Sequence, residues 1–434
     1  MKAAASSSLL DKPSHGISIF TATLFVVGEV AGSGVLALPE AIKFTGWFGL
    51  IIMLLVCSGA AYSGVLLGRS WMHLEDNIDS SLKLTKTRNP YALIGFHAWG
   101  SFGRSVSIIT LVIQLYGGSI VSLLLAAEMA QSLLTQLFPS LLGSITFCEW
   151  IVIIAIVLLP FSFFGSPVDF WPVAFFAMSS TAVASVLIVI ACITEDVKLN
   201  FQENVEESSS NKITIASVLL GIGTMNFGFS GASAMPTIQN DMRNKRKFGV
   251  AVILAYVILA MIYLPVSVVG YHVFGNNVKS NVVRNITPSL IVTWIQIMIA
   301  IHVVCSYLIL LNPVNLNVEE YLGIKHSFNL KRCISRVFIA LIATLIGLTV
   351  PKFGKILNLV GASAVTMQCF ILPCTFYYFL YQNTISKKVK ILLISIIFAG
   401  IAVAISSSIS ALSDLFDPEA FTVPCFIQNC YRLD

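Results

Sequence analysis

The chain has 434 residues, of which 56% are hydrophobic and only 11% are charged, with a formal net charge of +5. Soluble proteins carry about 25% charged residues, so this composition excludes the soluble classes. The charges are clustered, and long apolar stretches separate the clusters. This arrangement is typical of a polytopic helical membrane protein, so we predict an all-α fold that crosses the membrane many times.

Apolar runs define the predicted spans. Residues 1–16 are short, polar and without an apolar core, so we expect a cytosolic tail and no cleaved signal peptide. Eleven runs of about 20 residues follow, each long enough to cross roughly 30 Å of hydrocarbon. The predicted transmembrane domain therefore covers residues 17–411, and residues 412–434 form a C-terminal tail. The runs lie at 17–41, 46–68, 105–134, 148–165, 172–194, 213–238, 249–272, 289–311, 334–350, 357–380 and 390–411.

The positions of lysine and arginine predict the orientation. With a cytosolic N-terminus, 18 of the 26 Lys and Arg residues fall in cytosolic segments and eight fall outside, which satisfies the positive-inside rule. Eleven spans then put the C-terminus on the extracellular or lumenal side. The basic run from Arg243 to Lys247 is interpreted as a cytosolic topology anchor. The membrane is left open between the plasma membrane and a lysosomal or vesicular membrane.

Two features of the predicted outer side concern covalent modification. The sequon Asn285-Ile286-Thr287 lies in an outer loop, so Asn285 is a glycosylation candidate. Among nine cysteines, Cys425 and Cys430 in the C-terminal tail are candidates for a local disulfide, and their pairing is left open. The spacing of Cys and His residues predicts no metal site.

The first and sixth spans share an unusual local composition. The first contains the run from Gly28 to Gly34 and the sixth the run from Asn226 to Pro236, both rich in glycine and small polar residues. Interrupted segments at corresponding positions of two halves predict discontinuous helices at the binding site of a secondary transporter. Five spans per half give an inverted repeat, about residues 17–194 and 213–380, with residues 390–411 as an extra helix. Close helix packing at the glycines is the alternative.

These two breaks supply the candidate binding residues. The backbone N–H groups of Gly32, Ser33 and Gly34 are predicted to bind the carboxylate of a substrate. The predicted facing wall from the sixth span consists of Phe227, Phe229 and Ser230, with core packing as the alternative for the two aromatic rings.

Ionisable residues at membrane depth supply candidates for coupling to an ion gradient. Glu29 is predicted to bind the ammonium group of a substrate or to carry the driving proton, and a structural, protonated glutamate is the alternative. His302 in the eighth span is a candidate proton relay with Glu29, or else a neutral, packed histidine. Glu128 is expected near the outer interface, as a gate or a surface charge.

Five motifs in chain order resemble the amino acid/auxin permease family, the "amino acid transporter, transmembrane" group of the amino acid–polyamine–organocation superfamily. They are Gly32 to Pro39, Tyr91 to Arg104, Met235 to Met242, Asn312-Pro313 with Glu319-Glu320, and Val350 to Ala362. The resemblance covers about residues 16–411. It implies the leucine-transporter-type fold of five plus five inverted spans with one extra helix, and solute transport driven by a proton or sodium gradient.

The resemblance also implies roles for two further residues. The fold places a substrate contact near Tyr116 in the third span, and a helix-to-helix hydrogen bond is the alternative for its hydroxyl. The fold's cation site, between the first and eighth spans, makes Ser306 a candidate sodium ligand. The sequence departs from the family pattern at Glu29, where a neutral polar residue is common, and at Ser230 to Ser233, where a glycine-histidine pair is common.

The sequence therefore predicts a secondary active transporter of small amino acids that works by alternating access. Proton coupling is preferred because Glu29 and His302 are titratable. Sodium coupling and a non-transporting sensor on the same scaffold are the alternatives, and the short cytosolic tail favours transport. The expected partners are a small amino acid, the coupling ion and the lipid bilayer. Neither a cofactor, a nucleic acid nor an enzymatic activity is predicted, and the oligomeric state is left open.

Overall fold

The computed structural model describes residues 16–78, 89–163, 171–201, 213–324, 328–416 and 424–428. Regular structure in these ranges is helical, apart from an isolated bridge between Ile17 and Met242. Eight of the described helices are long and apolar enough to cross a membrane, and three shorter apolar helices accompany them. The all-α membrane class is therefore confirmed.

The described residues of the first half of the chain form seven α-helices. They are α1 (Ile19–Val30), α2 (Leu38–Thr45), α3 (Gly49–His73), α4 (Pro90–Leu137), α5 (Pro139–Leu142), α6 (Phe147–Ser162) and α7 (Trp171–Phe201). Ser18 caps α1 by accepting a hydrogen bond from the backbone N–H of Thr21. α4 bends near its start, because Trp99 and Gly100 leave the helical conformation and Gly100 adopts a φ of +65°, which glycine tolerates without strain.

In the second half, the residues that the structure describes form nine α-helices. They are α8 (Ile215–Gly228), α9 (Met235–Asn240), α10 (Phe248–Phe274), α11 (Leu290–Tyr321), α12 (Leu330–Thr349), α13 (Phe353–Val360), α14 (Leu372–Tyr381), α15 (Lys387–Phe416) and α16 (Cys425–Gln428). Two π-helical turns, Gly361–Val365 and Met367–Ile371, join α13 to α14.

The first and the sixth predicted apolar runs are each divided between two helices. α1, a 3-10 turn at Ser33–Leu36 and α2 occupy the first run, and α8 and α9 occupy the sixth. Pro39 and Pro236 each lie in the first turn of the second helix. Proline suits this position because the N–H that it lacks would have no intrahelical acceptor. The exact span count and the inverted repeat stay predictions.

Burial distinguishes central helices from peripheral ones. In the most apolar part of α4, 61% of the residues are buried inside the protein, whereas the corresponding share in α15 is 11%. α4 packs along α11, α1 packs against α10 and α7, and α2 packs against α8 and α10. The first and sixth runs therefore meet inside the bundle, and α15 lies at its edge.

The loop between α10 and α11 is fastened to three helices. Asn281 donates a hydrogen bond from Nδ2 to Oε1 of Glu128 on α4 at 2.9 Å, and Thr287 donates to Oε2 of Glu195 on α7 at 2.8 Å. Lys43 on α2 donates to a loop carbonyl. The loop is thereby held over the end of the bundle that lies opposite the start of α1.

Two residues that the sequence analysis singled out form further contacts with this loop: Glu128 on α4, and Asn285 in the loop itself. Glu128 also forms an ion pair with Arg284, at 3.4 Å from its Nε. Asn285 accepts a hydrogen bond at Oδ1 from the backbone N–H of Lys279, and donates from Nδ2 to the carbonyl of Asn277, both at 2.9 Å. The amide of the sequon residue therefore closes the loop, and its glycosylation stays a prediction.

A disulfide joins Cys148, at the start of α6, to Cys425, which lies 277 residues later. Cys425 therefore does not pair with Cys430, a pairing that the sequence analysis left open, because the Cys425 sulfur is bonded to Cys148. Cys430 itself lies outside the described residues. The bond holds the C-terminal helix α16 at the same end of the bundle as the loop between α10 and α11.

When the unfolded protein is treated with an alkylating reagent, we expect two fewer cysteines to be modified without prior reduction than after it. The Cys148→Ser variant should show no such difference. The substitution should lower the free energy of unfolding by about 2–4 kcal/mol, because the disulfide no longer restricts the unfolded chain. Mass spectrometry after alkylation and denaturant unfolding measure the two effects. Cys333→Ser is the control and should retain the two-cysteine difference; its disappearance there as well would contradict the assignment.

Candidate functional site

A cavity of about 650 Å³ lies where the two divided runs meet. This volume is typical of small-molecule sites. The walls come from α1, the segment after it, α4, α7, the end of α8, the segment between α8 and α9, α9 itself, and α11. The polar and small residues of the lining include Glu29, Gly32, Ser33, Gly34, Gln114, Gly118, Ser122, Ser230, His302 and Ser306, and the apolar ones include Phe25, Met178, Phe227 and Leu310.

The segment after α1 presents two backbone donors to this cavity. α1 ends at Val30, and Gly32 is extended, with φ −121° and ψ −158°. In the part of the chain that the structure describes, the N–H groups of Ser33 and Gly34 have no hydrogen-bond acceptor. Both residues line the cavity, so a carboxylate oxygen of a ligand can satisfy these donors.

The two divided runs touch at Gly34 and Gly228. A Cβ atom on Gly34 would lie 2.6 Å from the Cα atom of Gly228, which is too short for a real contact. Glycine at position 34 therefore allows the close approach of the two backbones. This approach places Phe227 and Ser230 in the same cavity as Ser33.

Two tyrosines of α10 donate hydrogen bonds to backbone carbonyls at the ends of α1 and α8. The Tyr263 hydroxyl donates to the carbonyl of Val30 at 3.0 Å, and the Tyr256 hydroxyl donates to the carbonyl of Phe229 at 3.1 Å. Seven residues are about two helical turns, so both hydroxyls lie on one face of α10. An unpaired carbonyl at membrane depth costs several kcal/mol. α10 therefore stabilises both interruptions, a role that the sequence analysis missed.

Glu29 lies in the last turn of α1 and lines the cavity. Its carboxylate makes no hydrogen bond or ion pair with another described residue. Its side chain lies beside Gly231, where a Cβ atom would be 3.8 Å from Glu29 Cγ. The described lining contains no lysine or arginine, so this carboxylate is available to a proton or to a cationic group of a ligand.

His302 is held by both of its ring nitrogens. Nδ1 lies 3.0 Å from the carbonyl of Ala177, which only accepts, so Nδ1 carries a hydrogen. In the neutral ring Nε2 then accepts a hydrogen bond from the Ser306 hydroxyl at 3.0 Å. A Cβ atom on Gly32 would lie 3.6 Å from Nε2, so the ring packs against the segment after α1.

Two of the predicted binding residues lie outside the cavity lining. The Tyr116 hydroxyl donates to the carbonyl of Ile339 on α12 at 2.8 Å, which is the helix-to-helix alternative. The Phe229 ring packs against Tyr263, with 5.2 Å between the ring centroids. The structure therefore gives neither side chain a place in the site. The other predicted residues line the cavity: Glu29, Gly32, Ser33, Gly34, Phe227, Ser230, His302 and Ser306.

Gln114 is a cavity residue that the sequence analysis missed. It is 7% exposed, and its buried Oε1 atom has no hydrogen-bond partner among the described residues. It lines the cavity together with Gly118 and Ser122, and this four-residue spacing defines one face of α4. Tyr116 lies on another face. The small and polar residues at this spacing were the available signal.

Comparison with known proteins finds sequence relatives along most of the chain. The profile of the family described as "Transmembrane amino acid transporter protein" matches residues 15–413. The amino acid transporter AVT1C of Arabidopsis thaliana is 23% identical over 416 residues, which cover 93% of this chain and 71% of that protein. The amino acid transporter AVT3C of the same plant is 24% identical over 422 residues, which cover 94% of each.

Solved structures share the fold at low sequence identity. MhsT in complex with L-phenylalanine superposes with a TM-score of 0.56 and 13% identity, over 92% of this chain and 99% of MhsT. The inward-facing conformation of Mhp1 gives a TM-score of 0.59 and 14% identity, over 92% of this chain and 89% of Mhp1. These similarities identify the leucine-transporter-type fold.

We expect Tyr263→Phe and Tyr256→Phe each to lower the free energy of unfolding by about 1–3 kcal/mol, because each leaves a buried carbonyl without a donor. Unfolding by denaturant in detergent micelles measures the loss. Tyr271→Phe on the same helix is the control and should change stability by less than about 0.5 kcal/mol. Equal losses in all three variants would contradict the role given to the two hydroxyls.

Proposed function

The chain belongs to the transmembrane amino acid transporter family, and from this premise we propose that it is a proton-coupled secondary active transporter of small amino acids. The observation that carries the proposal is the unpaired carboxylate of Glu29 in the cavity where the first and sixth runs meet. His302 is the other ionisable group in the described lining. We further propose that both runs are discontinuous transmembrane helices within an eleven-span, inverted-repeat bundle.

The cavity offers complementary groups for the two charges of an amino acid. The free N–H groups of Ser33 and Gly34 suit the substrate carboxylate, because they donate without a competing acceptor in the described chain. The unpartnered Oε1 of Gln114 accepts from the substrate ammonium, which leaves Glu29 for the proton. Phe227 lines the cavity with other apolar side chains and receives the substrate side chain. The relatives' names agree with an amino acid as the substrate.

The hydrogen bonds around the cavity favour a proton over sodium as the coupling ion. A sodium ion between the first and eighth spans needs free carbonyl and hydroxyl oxygens. The carbonyl of Val30 already accepts from Tyr263, and Ser306 is hydrogen-bonded to His302. The Glu29 carboxylate, by contrast, has no partner among the described residues.

The shape of the cavity supports alternating access. Its lining continues along the first half of α1 to Ile17, which precedes this helix, and along α9 to Ile238, whereas the loop between α10 and α11 covers the opposite end of the bundle. With the N-terminus in the cytosol, this is an inward-facing arrangement. The disulfide between Cys148 and Cys425 lies at the opposite end and supports an extracellular or lumenal location there, because disulfides persist in oxidising compartments.

We expect a proton gradient, and not a sodium gradient, to drive amino acid uptake into proteoliposomes that contain the purified protein. Glu29→Gln should abolish the response to the proton gradient, because the glutamine amide does not titrate in this range. The Glu29→Gln variant should still exchange amino acids across the membrane without a gradient, because the cavity keeps its shape. Radiolabelled uptake with each gradient imposed separately measures both.

Glu320→Gln, which changes an exposed carboxylate at the end of α11, is the matched control and should respond to the proton gradient like the wild type. Uptake driven equally well by sodium alone would contradict proton coupling. An unchanged proton response in Glu29→Gln would exclude Glu29 as the proton carrier.

We expect Gln114→Leu to raise the KM for amino acid uptake by roughly tenfold or more, because the substrate ammonium loses a buried acceptor. Tyr116→Phe should leave KM unchanged, since its hydroxyl binds α12. Gln136→Leu near the end of the same helix is the matched control. If the KM of Gln114→Leu stays at the wild-type value and the KM of Tyr116→Phe rises, Gln114 is not the acceptor for the substrate ammonium.

A further inference from the structure

A second cavity, of about 550 Å³, lies at the end of the bundle where α1 starts. It is formed by the end of α3, the segment that joins α9 to α10, the first turns of α10 and the end of α14. In the proposed orientation this is the cytosolic membrane interface. The transport cavity does not use these residues.

Two arginines of the second cavity are available to an anion. Arg69 is exposed and has no ion pair in the described chain. Arg246 has a side chain that is 75% exposed, and it forms an ion pair with Asp76 at 2.9 Å. Exposed pairs of this kind are weak, so a phosphate can compete for the guanidinium. The planar guanidinium group donates two parallel hydrogen bonds to phosphate oxygens.

A buried amide provides an acceptor beside these donors. Gln239 donates from Nε2 to the carbonyls of Gly68 and Lys245, both at 3.0 Å, and its Oε1 has no partner among the described residues. Gln239 is 1% exposed. The Lys245 ammonium is already held by Glu75 at 2.6 Å. The cavity therefore suits a ligand that combines a phosphate with hydroxyl donors.

The same cavity has an apolar wall that faces the lipid. Val65, Val250 and Ile253 belong to its lining, and Val250 and Ile253 are each about half exposed on α10. Ile253 lies about 7.5 Å along the helix axis from Phe248 at the start of α10. The cavity thus extends from the charged interface toward the hydrocarbon region, as a phospholipid does and a soluble anion does not.

We propose that this second cavity binds an anionic phospholipid with a hydroxyl-bearing headgroup, of the phosphatidylinositol type. Its phosphate lies between Arg69 and Arg246, a headgroup hydroxyl donates to Gln239, and an acyl chain follows the apolar wall on α10. Basic pockets between transmembrane helices at the cytosolic side are suited to such headgroups. The assignment of the leaflet rests on the proposed orientation, whereas the binding chemistry does not.

The bound lipid would act on the segment that borders the transport cavity. The backbone N–H of Ile17 donates to the carbonyl of Asp241 at 2.9 Å, and the N–H of Arg243 donates to the carbonyl of Ile17 at 3.1 Å. The segment between α9 and α10 thus holds the start of α1. A headgroup that binds both Arg69 of α3 and Arg246 would link the segment between α9 and α10 to α3. It would thereby stabilise the position of the start of α1, where the transport cavity ends.

Native mass spectrometry of the full-length protein, released from micelles that contain phosphatidylcholine and phosphatidylinositol, tests the proposal. The wild type should retain phosphatidylinositol, and the double variant Arg69→Gln/Arg246→Gln should retain about tenfold less. Lys387→Gln/Lys388→Gln is the matched control: it removes two exposed cations at the start of α15, next to the loop that follows Tyr381, and should retain the wild-type amount.

Equal losses in the two double variants would overturn the proposal, because they would show a general effect of surface charge. Retention of soluble inositol phosphate at the level of the intact lipid would also overturn it, since the apolar wall would then contribute nothing. Arg246→Gln alone replaces a side chain that is 75% exposed and preserves the test when the double variant fails to fold. Lipid retention is measured without any transport assay. A negative result for the lipid site is therefore distinguishable from failure of the proposed transport function.

Discussion

The structure depends on how backbone groups are satisfied where helices end at membrane depth. Lipid offers no hydrogen bonds, so every exposed N–H or C=O needs a partner in the protein or in a cavity. Two carbonyls at these ends accept from Tyr263 and Tyr256, both on one face of α10. The N–H groups of Ser33 and Gly34 are left facing the cavity. The protein thus satisfies the acceptors itself and leaves donors for a ligand, and these donors are the basis for the proposed binding of a substrate carboxylate.

Much of the fold could be predicted because span length and small residues are local signals. Apolar runs located the helices, and Pro39 and Pro236 marked where a second helix begins in two of them. The bend of α4 was missed, because Gly100 lies in a segment whose composition resembles a loop and its φ of +65° depends on the packing of the chain. The disulfide between Cys148 and Cys425 was missed because partners 277 residues apart leave no spacing pattern.

The candidate site was predictable as a region but less so as a set of side chains. Membrane depth follows from position along a span, so the sequence could place Glu29 and His302 at mid-membrane, and both line the cavity. The direction of a side chain around a helix depends on which neighbours the helix contacts. Tyr116 and Gln114 are two residues apart and therefore lie about 200° apart around α4. Only the packing of α4 against α12 decided that Gln114 faces the cavity and Tyr116 does not.

The two ionisable cavity residues are distinguished by their partners. His302 contacts the Ala177 carbonyl with one nitrogen and the Ser306 hydroxyl with the other, so adding a proton to its ring would require Ser306 to reorient. Glu29 has no such partner among the described residues, so a proton can join or leave it without breaking a hydrogen bond in the described chain. The segment after α1 packs against His302 and follows Glu29 directly in the chain. Within the proposed proton coupling, these relations favour Glu29 as the group that exchanges the proton and His302 as the group that positions the backbone beside it.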